Sequence, residues 1–254
     1  MVDRATRGGA VALRQRASVG IIVQARMTSK RLPGKTMMLL HGKPIIQHVI
    51  DNCLKIKPNN KKVIVAVPDT PQSEPILNFL VTQYKNKVHN FCGSEDNVLE
   101  RYYQAAKFFG LDVIMRITAD CPFINHKVCQ EILSMHLLNE YDYTSNIYPK
   151  RTFPTGYDCE VFSFDCLEAA YLETEKHIKI YNKNSLMLSG VDNKKPMEDF
   201  TWYDAEHVTP WMQRHPDVIR GLIQQKEDHS NINLCVDTQE DLDRLEARKW
   251  SQNS

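Results

Sequence analysis

The chain lacks the features of a membrane protein and of a disulfide-bonded protein. It also lacks the common nucleotide-binding motifs. None of its apolar runs approaches the roughly 18 residues that a membrane-spanning helix needs. Its seven cysteines form no C-x-x-C pair and no zinc-finger spacing, so we expect free thiols in a reducing compartment. Neither GxxxxGK[ST] nor GxGxxG occurs, which excludes a Walker P-loop and the usual dinucleotide fingerprint. The expected location is the cytoplasm.

The chain also lacks an excess of charge of one sign. Lys and Arg total 32 against 31 for Asp and Glu, so the formal net charge is +1. Nucleic-acid-binding and membrane-surface proteins usually carry a basic bias, and we therefore expect neither kind of partner. Any anion must then be bound by a local cluster of basic side chains. The hydrophobic and charged fractions, 42% and 25%, are those of an ordinary globular domain.

Residues 1–18, MVDRATRGGAVALRQRAS, differ from the rest because they carry four arginines and one acid. Two interpretations are open for this segment, a basic targeting sequence and a disordered extension. We favour the disordered extension and leave the segment out of the predicted fold. The remaining residues, 19–254, are predicted to form a single domain, with 141–211 as a less regular subregion.

Strand-like apolar runs alternate with helical patterns in the first half of the domain. Strands are predicted over 20–24, 61–67, 87–93 and 112–117, and helices near 44–53, 74–84, 94–109 and 125–140. This alternation predicts an α/β fold, in which a mostly parallel central sheet is flanked by helices. In such sheets ligands bind beyond the carboxyl ends of the strands.

The second half of the domain is harder to assign. Strands are predicted over 142–146 and 156–164, followed by irregular loop and edge structure over 181–204 that is a candidate oligomer contact. The chain closes with a strand that ends at Val236 and Asp237 and a helix that has Thr238 as its N-cap. Glu240 and Asp241 then lie in the first turn of that helix, where acids favour the helix dipole.

A basic loop directly follows the first buried strand. In VGIIVQARMTSKRLPGKTMMLL, residues 19–40, four basic side chains occur within ten residues: Arg26, Lys30, Arg31 and Lys35. Pro33 and Gly34 can turn the backbone so that amides and cations face one point, which favours a polyphosphate site. The alternative interpretation is a solvated basic loop.

Two acids stand at predicted strand ends. Asp120 follows the strand 112–117, and Asp237 ends the last strand. Magnesium prefers few carboxylates together with substrate phosphates, so two acids beside a basic loop predict metal-assisted nucleotide chemistry. Asp120 as a turn or cap residue, and Asp237 as a neighbour of an N-cap, are the structural alternatives.

Five blocks of the sequence carry a family resemblance that extends over about residues 19–248. They are IIVQARMTSKRLPGKTMMLLHGKPIIQHVID, GSEDNVLERYYQAAKFFGLDVIMRITADCPFIN, RTFPTGYDCEVFSFDCLEAA, AEHVTPW and CVDTQEDL, in this order. The chain resembles the sugar-acid cytidylyltransferases, and in detail the spore coat polysaccharide biosynthesis protein F family. That family is related to CMP-KDO synthetase and acylneuraminate cytidylyltransferase.

The resemblance implies a Rossmann-like nucleotide-diphospho-sugar transferase fold of the glycosyltransferase-A type. It implies transfer of CMP from CTP to a KDO-like or sialic-like sugar acid, release of pyrophosphate, Mg²⁺ as cofactor, a homodimer and a role in surface polysaccharide synthesis. Two alternatives are a nucleotidyltransferase that uses another NTP and a sugar phosphate, and a non-catalytic nucleotide-binding relative.

The resemblance also implies roles for individual residues. The implied catalytic residues are Arg26, Lys35, Asp120 and Asp237, and the two aspartates are the implied metal ligands. The implied nucleotide-binding residues are Gln24, Ala25, Arg26, Ser29, Arg31, Lys35, Ser94, Arg116 and Asp120. The implied acceptor-binding residues lie largely in the subregion 141–211, and they are Asn146, Asp158, Glu160, Glu206 and His207.

The chain departs from the family in two places. Ala119 stands where the family usually has Gly, beside the implied metal ligand Asp120. The segment 176–203 is longer than the family pattern, and it lies beside the implied acceptor site. The identity of the acceptor is therefore less determined by the resemblance than the nucleotide is.

Overall fold

The alternating pattern builds one seven-stranded sheet and one small two-stranded ribbon. The computed structural model describes residues 17–57, 60–187 and 200–248. The strands are β1 (Val19–Gln24), β2 (Leu39–Leu40), β3 (Lys43–Pro44), β4 (Lys62–Pro68), β5 (His89–Gly93), β6 (Val113–Thr118), β7 (Tyr143–Ser145), β8 (Glu160–Ser163) and β9 (Arg220–Leu222). The helices are α1 (Ile45–Lys55), α2 (Glu74–Tyr84), α3 (Val98–Phe109), α4 (His126–Leu138), α5 (Phe164–Met187), α6 (Phe200–His207), α7 (Pro210–Arg214) and α8 (Gln239–Glu246).

The large sheet has the strand order β5-β4-β1-β6-β8-β7-β9. The strands β5, β4, β1 and β6 pair in parallel, as do β7 and β9. Strand β8 is antiparallel to both of its neighbours, so it alone runs against the other six. The predicted α/β architecture with a mostly parallel sheet is confirmed.

Helices cover both faces of the sheet because successive strand residues point to opposite sides. On β1, Ile21 and Val23 pack in one apolar cluster, with residues of α1, α2 and α4. Ile22 packs in the opposite cluster, with residues of α3, α5 and α7. All three side chains are fully buried, and each such burial stabilises the fold by about 1.5–3 kcal/mol.

A third apolar cluster lies beyond the carboxyl ends of the strands. It joins the basic loop, the loop that follows β6 and the segment before α8, and its members are Leu32, Leu40, Ile45, Phe123, Leu234, Val236, Leu242 and Leu245. The backbone N–H of Val236 donates to the carbonyl of Asp120 at 2.9 Å. This cluster therefore holds two distant acid-bearing segments side by side.

Two helix ends carry the residues that usually stand there. Helix α3 ends at Gly110, which has a left-handed φ of 60° that glycine adopts without steric cost. Helix α8 starts at Thr238, whose hydroxyl accepts from the N–H of Asp241 while the Asp241 carboxylate accepts from the N–H of Thr238. This capping box confirms the predicted N-cap.

Three local predictions are wrong. The segment that ends at Val236 and Asp237 is not a strand, because its N–H groups bond to a side chain and a loop; only an isolated bridge joins Thr155 and Asn233. The predicted strand 156–164 shortens to β8, since Gly156 has a φ of 101° in the turn that precedes it. Residues 181–187 and 200–204, predicted as loop and edge structure, are helical, and 188–199 lie outside the described residues.

The start of the described chain is attached to the sheet. The Ser18 carbonyl accepts from the N–H groups of Asp112 and Val113, and the Ser18 N–H donates to the Asp112 carboxylate at 2.7 Å. The predicted disordered extension otherwise falls on residues 1–16, outside the described residues. Across the described ranges, no helix is both long enough and apolar enough to cross a bilayer.

We predict that Thr238→Ala lowers the free energy of unfolding by about 0.5–2 kcal/mol, because it removes the side-chain acceptor of the α8 cap. Urea denaturation followed by circular dichroism measures the change. Gln239→Ala, at the next and exposed position, is the control and should have little effect. Equal midpoints for the two variants would contradict the role of the cap.

Candidate active site

The loops that follow β1, β5 and β6 lie at the same edge of the sheet. The strands run in parallel, so their carboxyl ends share that edge. Backbone hydrogen bonds join the loops to the sheet, since Ala25 N–H donates to the Ala66 carbonyl at 3.1 Å and Ala119 N–H donates to the Gln24 carbonyl at 3.0 Å. The basic loop and the Asp120 loop are therefore neighbours, as the sequence predicts.

The basic loop is closed by its own hydrogen bonds. Gly34 N–H donates to the Met27 carbonyl at 2.9 Å, and the Thr36 hydroxyl donates to the Arg26 carbonyl at 2.8 Å. Gly34 has a φ of 75°, a conformation that favours glycine. The closure leaves the side chains of Arg26 and Arg31 exposed and turns Lys35 inward, where it is buried.

The ammonium group of Lys35 joins the two strand-end acids. Lys35 Nζ lies 2.8 Å from Asp120 Oδ2, 2.9 Å from Asp237 Oδ1 and 2.8 Å from the carbonyl of Val236. A lysine ammonium has three N–H donors, so all three are used. The structure thus brings Asp120 and Asp237 together around one cation, and that cation is a side chain of the protein.

The charges at this centre stabilise one another. Burial lowers the pKa of Lys35, but Asp120 and Asp237 outweigh burial and raise it above its ordinary value of 10.5. Burial raises the pKa of Asp120, but the Lys35 ammonium outweighs burial and holds it below 3.8. Arg31 adds a second ion pair to Asp237 at 2.8 Å, which is weaker because the Arg31 side chain is 65% exposed.

The predicted metal ligands provide a small donor set. The described residues contain no group of three or more His, Cys, Asp or Glu side chains placed to hold a metal ion. Two carboxylates fit the preference of Mg²⁺, which usually takes most of its other ligands from water and substrate phosphates. Because Lys35 lies between Asp120 and Asp237, the pair fits Mg²⁺ only if the ammonium moves aside.

The turn that follows β5 is tied to the basic loop. Ser94 Oγ accepts from the N–H of Asn97 at 3.0 Å, and the Thr28 hydroxyl donates to Glu95 Oε1 at 2.7 Å. Arg101 Nη1 donates to the Ser94 carbonyl at 2.6 Å. Ser94 therefore lies in a turn beside the basic loop, and its role in nucleotide binding stays a prediction. Arg101 is a residue that the sequence reasoning missed.

Three of the implied acceptor-binding residues are bonded inside the protein. Asn146 donates to the Tyr157 carbonyl and accepts from Cys159 N–H, and Asp158 forms a two-pronged ion pair with Arg151. Glu160 is 1% exposed. These contacts join β7, β8 and the loop between them, so they build the fold beside the site.

Glu160 accepts three hydrogen bonds beneath the sheet edge. Arg116 Nη1 lies 2.6 Å from Oε2, the Tyr143 hydroxyl lies 2.5 Å from Oε1, and Gln213 Nε2 lies 3.2 Å from Oε1. Arg116, an implied nucleotide-binding residue, therefore contacts Glu160. Among the described residues, the buried Arg116 Nε has no hydrogen-bond partner. The same holds for the buried Oε1 of Gln24, which lies two positions after Ile22, the β1 residue paired with Arg116.

Glu206 and His207 remain exposed at the end of α6. Burial lowers the pKa of His207, the acids Glu206 and Asp204 raise it, and the cations Arg116 and Arg26 lower it. The net shift is below the ordinary value of 6.5, so the neutral ring is favoured at pH 7. Val208 follows with a φ of 73°, which is strained for a β-branched residue. Such strain occurs often at functional sites.

The cysteine beside Asp120 has no nucleophilic environment. Cys121 Sγ lies 3.2 Å from Cys235 Sγ, and both side chains are buried. The contact with Cys235 and burial both raise the pKa of Cys121, so its thiol stays protonated. All seven cysteines are free, as the sequence predicts.

Comparison with known proteins agrees with the resemblance. A family model described as Cytidylyltransferase matches residues 20–253. An uncharacterized protein of Methanocaldococcus jannaschii is 28% identical over 87% of this chain and 79% of its own length. The spore coat polysaccharide biosynthesis protein SpsF of Bacillus subtilis is 25% identical over 89% of this chain and 84% of its own length.

Further matches support the same family and the same fold. Several bacterial 3-deoxy-manno-octulosonate cytidylyltransferases match at 25–30% identity, over 42–58% of their own lengths. The structure of a cytidylyltransferase from Leptospira borgpetersenii superposes with a TM-score of 0.73 at 27% identity, covering 91% of this chain and 85% of that one. The predicted Rossmann-like nucleotidyltransferase fold is thus confirmed.

We predict that acid destabilises the protein partly through Asp120. Its pKa is lowered in the folded state, so its contribution to stability is complete above the ordinary value of 3.8 and is lost as the pH falls through the folded value. Lys35 has a raised pKa, so its contribution is lost only as the pH rises above 10.5. Between these limits the pair should contribute a constant stabilisation.

Urea denaturation at intervals between pH 3 and 7 measures this contribution. Asp120→Asn should be less stable than the wild type at pH 7, and its stability should fall less steeply towards pH 3. Asp243→Asn, which changes an exposed acid of α8, is the control and should keep the wild-type slope. An unchanged slope in Asp120→Asn would refute the assignment.

Proposed function

The chain belongs to the cytidylyltransferase family, and we propose that it transfers CMP from CTP to a sugar acid, with release of pyrophosphate, for surface polysaccharide synthesis. The observation that carries the proposal is the convergence of Asp120 and Asp237 on Lys35, directly beside the exposed basic loop. The resemblance to sugar-acid enzymes supports a KDO-like or sialic-like acceptor. A homodimer and a cytoplasmic location belong to the same proposal.

The basic loop binds the triphosphate in this proposal. Arg26, Lys30 and Arg31 are exposed and can move to the phosphates, and guanidinium groups suit phosphate oxygens because they donate in pairs. Ser29 assists from the same loop. The backbone of Gln24 and Ala25 lies at the end of β1, where the nucleoside would meet the sheet edge, and Ser94 borders the base.

Charge balance explains why the two aspartates suit an additional cation. Lys35 and Arg31 are already paired with Asp120 and Asp237, so the charges of these four groups sum to zero. A triphosphate then brings several negative charges to a centre that has no surplus positive charge. Asp120 and Asp237 would hold Mg²⁺, which when bound neutralises phosphate charge and lowers the pKa of the attacking hydroxyl.

The transfer step is an in-line displacement at the α-phosphorus. The acceptor hydroxyl forms the new O–P bond, and the bond to the pyrophosphate breaks. The protein positions the reactants and neutralises charge, as is usual in phosphoryl transfer. Lys35, once it leaves the aspartates, stabilises the pyrophosphate as it departs.

The acceptor approaches from the side of α6 in this proposal. Glu206 and His207 are the implied acceptor residues that keep exposed side chains, and the neutral ring of His207 can accept a hydrogen bond from a sugar hydroxyl. Asn146, Asp158 and Glu160 shape the site through their internal contacts. The unpartnered Gln24 Oε1 offers a further acceptor for a ligand donor.

A pyrophosphate-release assay with Mg²⁺ tests the function. CTP, UTP, GTP and ATP are each combined with KDO, sialic acids and a sugar phosphate. We expect release only with CTP and a sugar acid, and only CTP should raise the melting temperature strongly. Turnover with another NTP and a sugar phosphate would replace the proposal, and binding of CTP without turnover on any acceptor would favour a non-catalytic relative.

We predict that Asp237→Asn lowers the rate of pyrophosphate release roughly a hundredfold or more, because a critical charge contact in the transition state is lost. Circular dichroism should show that the variant stays folded. Asp243→Asn is the matched control and should keep wild-type turnover. Retained turnover in Asp237→Asn would remove Asp237 from the catalytic centre.

A further inference from the structure

Arg101 lies in the wall of the candidate site with its guanidinium group buried. Among the described residues, no carboxylate forms an ion pair with it. The residue is 1% exposed. Its Nη1 donates to the Ser94 carbonyl at 2.6 Å, and its Nε has no hydrogen-bond partner among the residues that the structure describes. Within the part of the chain that the structure describes, no acid lies at ion-pair distance from it.

This arrangement is unfavourable in the free protein. A buried cation loses its hydration, and usually only a paired anion compensates that loss. Arg101 also lies in the first turn of α3, where the positive end of the helix dipole disfavours a cation. Burial lowers its pKa to about 10 and the nearby Arg26 acts in the same direction, whereas Tyr102 and Glu95 act in the opposite direction.

The surroundings of Arg101 are built to keep it in place. Its stem passes the end of β5 at Gly93, where an added Cβ would lie 3.1 Å from Arg101 Cγ. The turn that it holds through Ser94 is joined to the basic loop by Thr28 and Glu95. Arg101 and Arg26 therefore border the same part of the site, on the side of the edge strand.

We propose that Arg101 is a positioning residue for the nucleotide, whose guanidinium has no ion-pair partner among the described residues of the free enzyme and gains an anionic neighbour when the triphosphate binds beside Arg26. This inference rests on the proposed function, which supplies the anion. A purely structural role, in which Arg101 only holds the turn through Ser94, is the competing explanation.

The two explanations predict opposite effects of removing the charge. Arg101→Met keeps most of the apolar stem and removes the buried cation. If the charge serves the nucleotide, the free variant should melt at or above the wild-type temperature while its affinity for phosphates falls. If Arg101 only holds the turn, the variant should have a lower melting temperature than the wild type. Its affinities for ligands with and without phosphates should then fall by the same factor.

Calorimetric titration with CTP, cytidine and inorganic triphosphate, together with melting curves of the free proteins, separates these effects. For Arg101→Met we expect CTP and triphosphate to bind roughly tenfold to a hundredfold more weakly, the range for a hydrogen bond or contact to a charged group. Cytidine, which has no phosphate, should bind as to the wild type. Turnover at saturating CTP should change far less than the KM for CTP.

Two further variants complete the test. Arg101→Lys keeps the charge and should retain most of the affinity for CTP. Lys107→Met removes an exposed cation at the opposite end of α3 and should match the wild type in every measurement. A lower melting temperature of Arg101→Met with an unchanged ratio of CTP to cytidine affinity would overturn the inference.

The outcome is distinguishable from failure of the proposed function. If the wild type does not prefer CTP over other nucleotides, the cytidylyltransferase proposal fails. Inorganic triphosphate needs no base, so its weaker binding to Arg101→Met would still support the role of Arg101. A wild type that binds neither CTP nor triphosphate would overturn the inference as well.

Discussion

One buried ammonium group organises the candidate site. Lys35 donates all three of its N–H groups, to Asp120, to Asp237 and to the carbonyl of Val236, the residue before Asp237. The two aspartates lie far apart in the chain, and like charges would separate if the cation were absent. The apolar cluster beyond the strand ends brings the segments near each other, and the ammonium then sets the distance between the carboxylates. This contact joins the basic loop to the two candidate metal ligands, and through Asp237 to the segment that precedes the last helix.

In the free enzyme, some charged side chains of the candidate site have an ion-pair partner and others do not. At the Lys35 centre every charge has a partner, and Arg116 and Glu160 form a second buried pair nearby. Within the described ranges, Arg101 and Arg26 form no ion pair, and Arg31 pairs with Asp237. A polyphosphate is the ligand that would satisfy the unpaired cations. Its arrival would also compete with the aspartates for Lys35, which links binding to a rearrangement of the centre.

The sequence predicts those features of the site that depend on the order of strands and loops along the chain, or on residues close to one another in the sequence. Parallel strands end at one edge, so a basic loop after β1 and an acid after β6 must be neighbours, and this reasoning needs no coordinates. Thr238 and Gly110 could be assigned as helix ends because their signals lie within a few residues of the helix. Arg101 was also within reach, since it shares the face of α3 with Val98 and Ala105, which makes a buried arginine predictable.

Other features depend on contacts between distant residues, and the sequence does not show them. Lys35 was expected to face phosphate, but the closure of the loop at Gly34 turns it inward. Asp158 and Glu160 look like exposed acids in the sequence, whereas Arg151 and Arg116 pair with them in the fold. The segment before Asp237 has the apolar pattern of a strand, yet the N–H of Val236 bonds to the Asp120 loop and that of Cys235 bonds to the Asn233 side chain. For Lys35, Glu160 and Val236 the partner lies far away in the chain, whereas Asp158 pairs with Arg151 across a short loop.

A double-mutant cycle on Lys35 and Asp120 tests the central claim most directly. The free energies of unfolding of Lys35→Met, Asp120→Asn and the double variant are compared with that of the wild type at pH 7. If the ammonium holds the carboxylates together, the two changes should be coupled by about 1–3 kcal/mol, the range for residues in one ion-pair network. Additive effects, with a coupling near zero, would contradict the account.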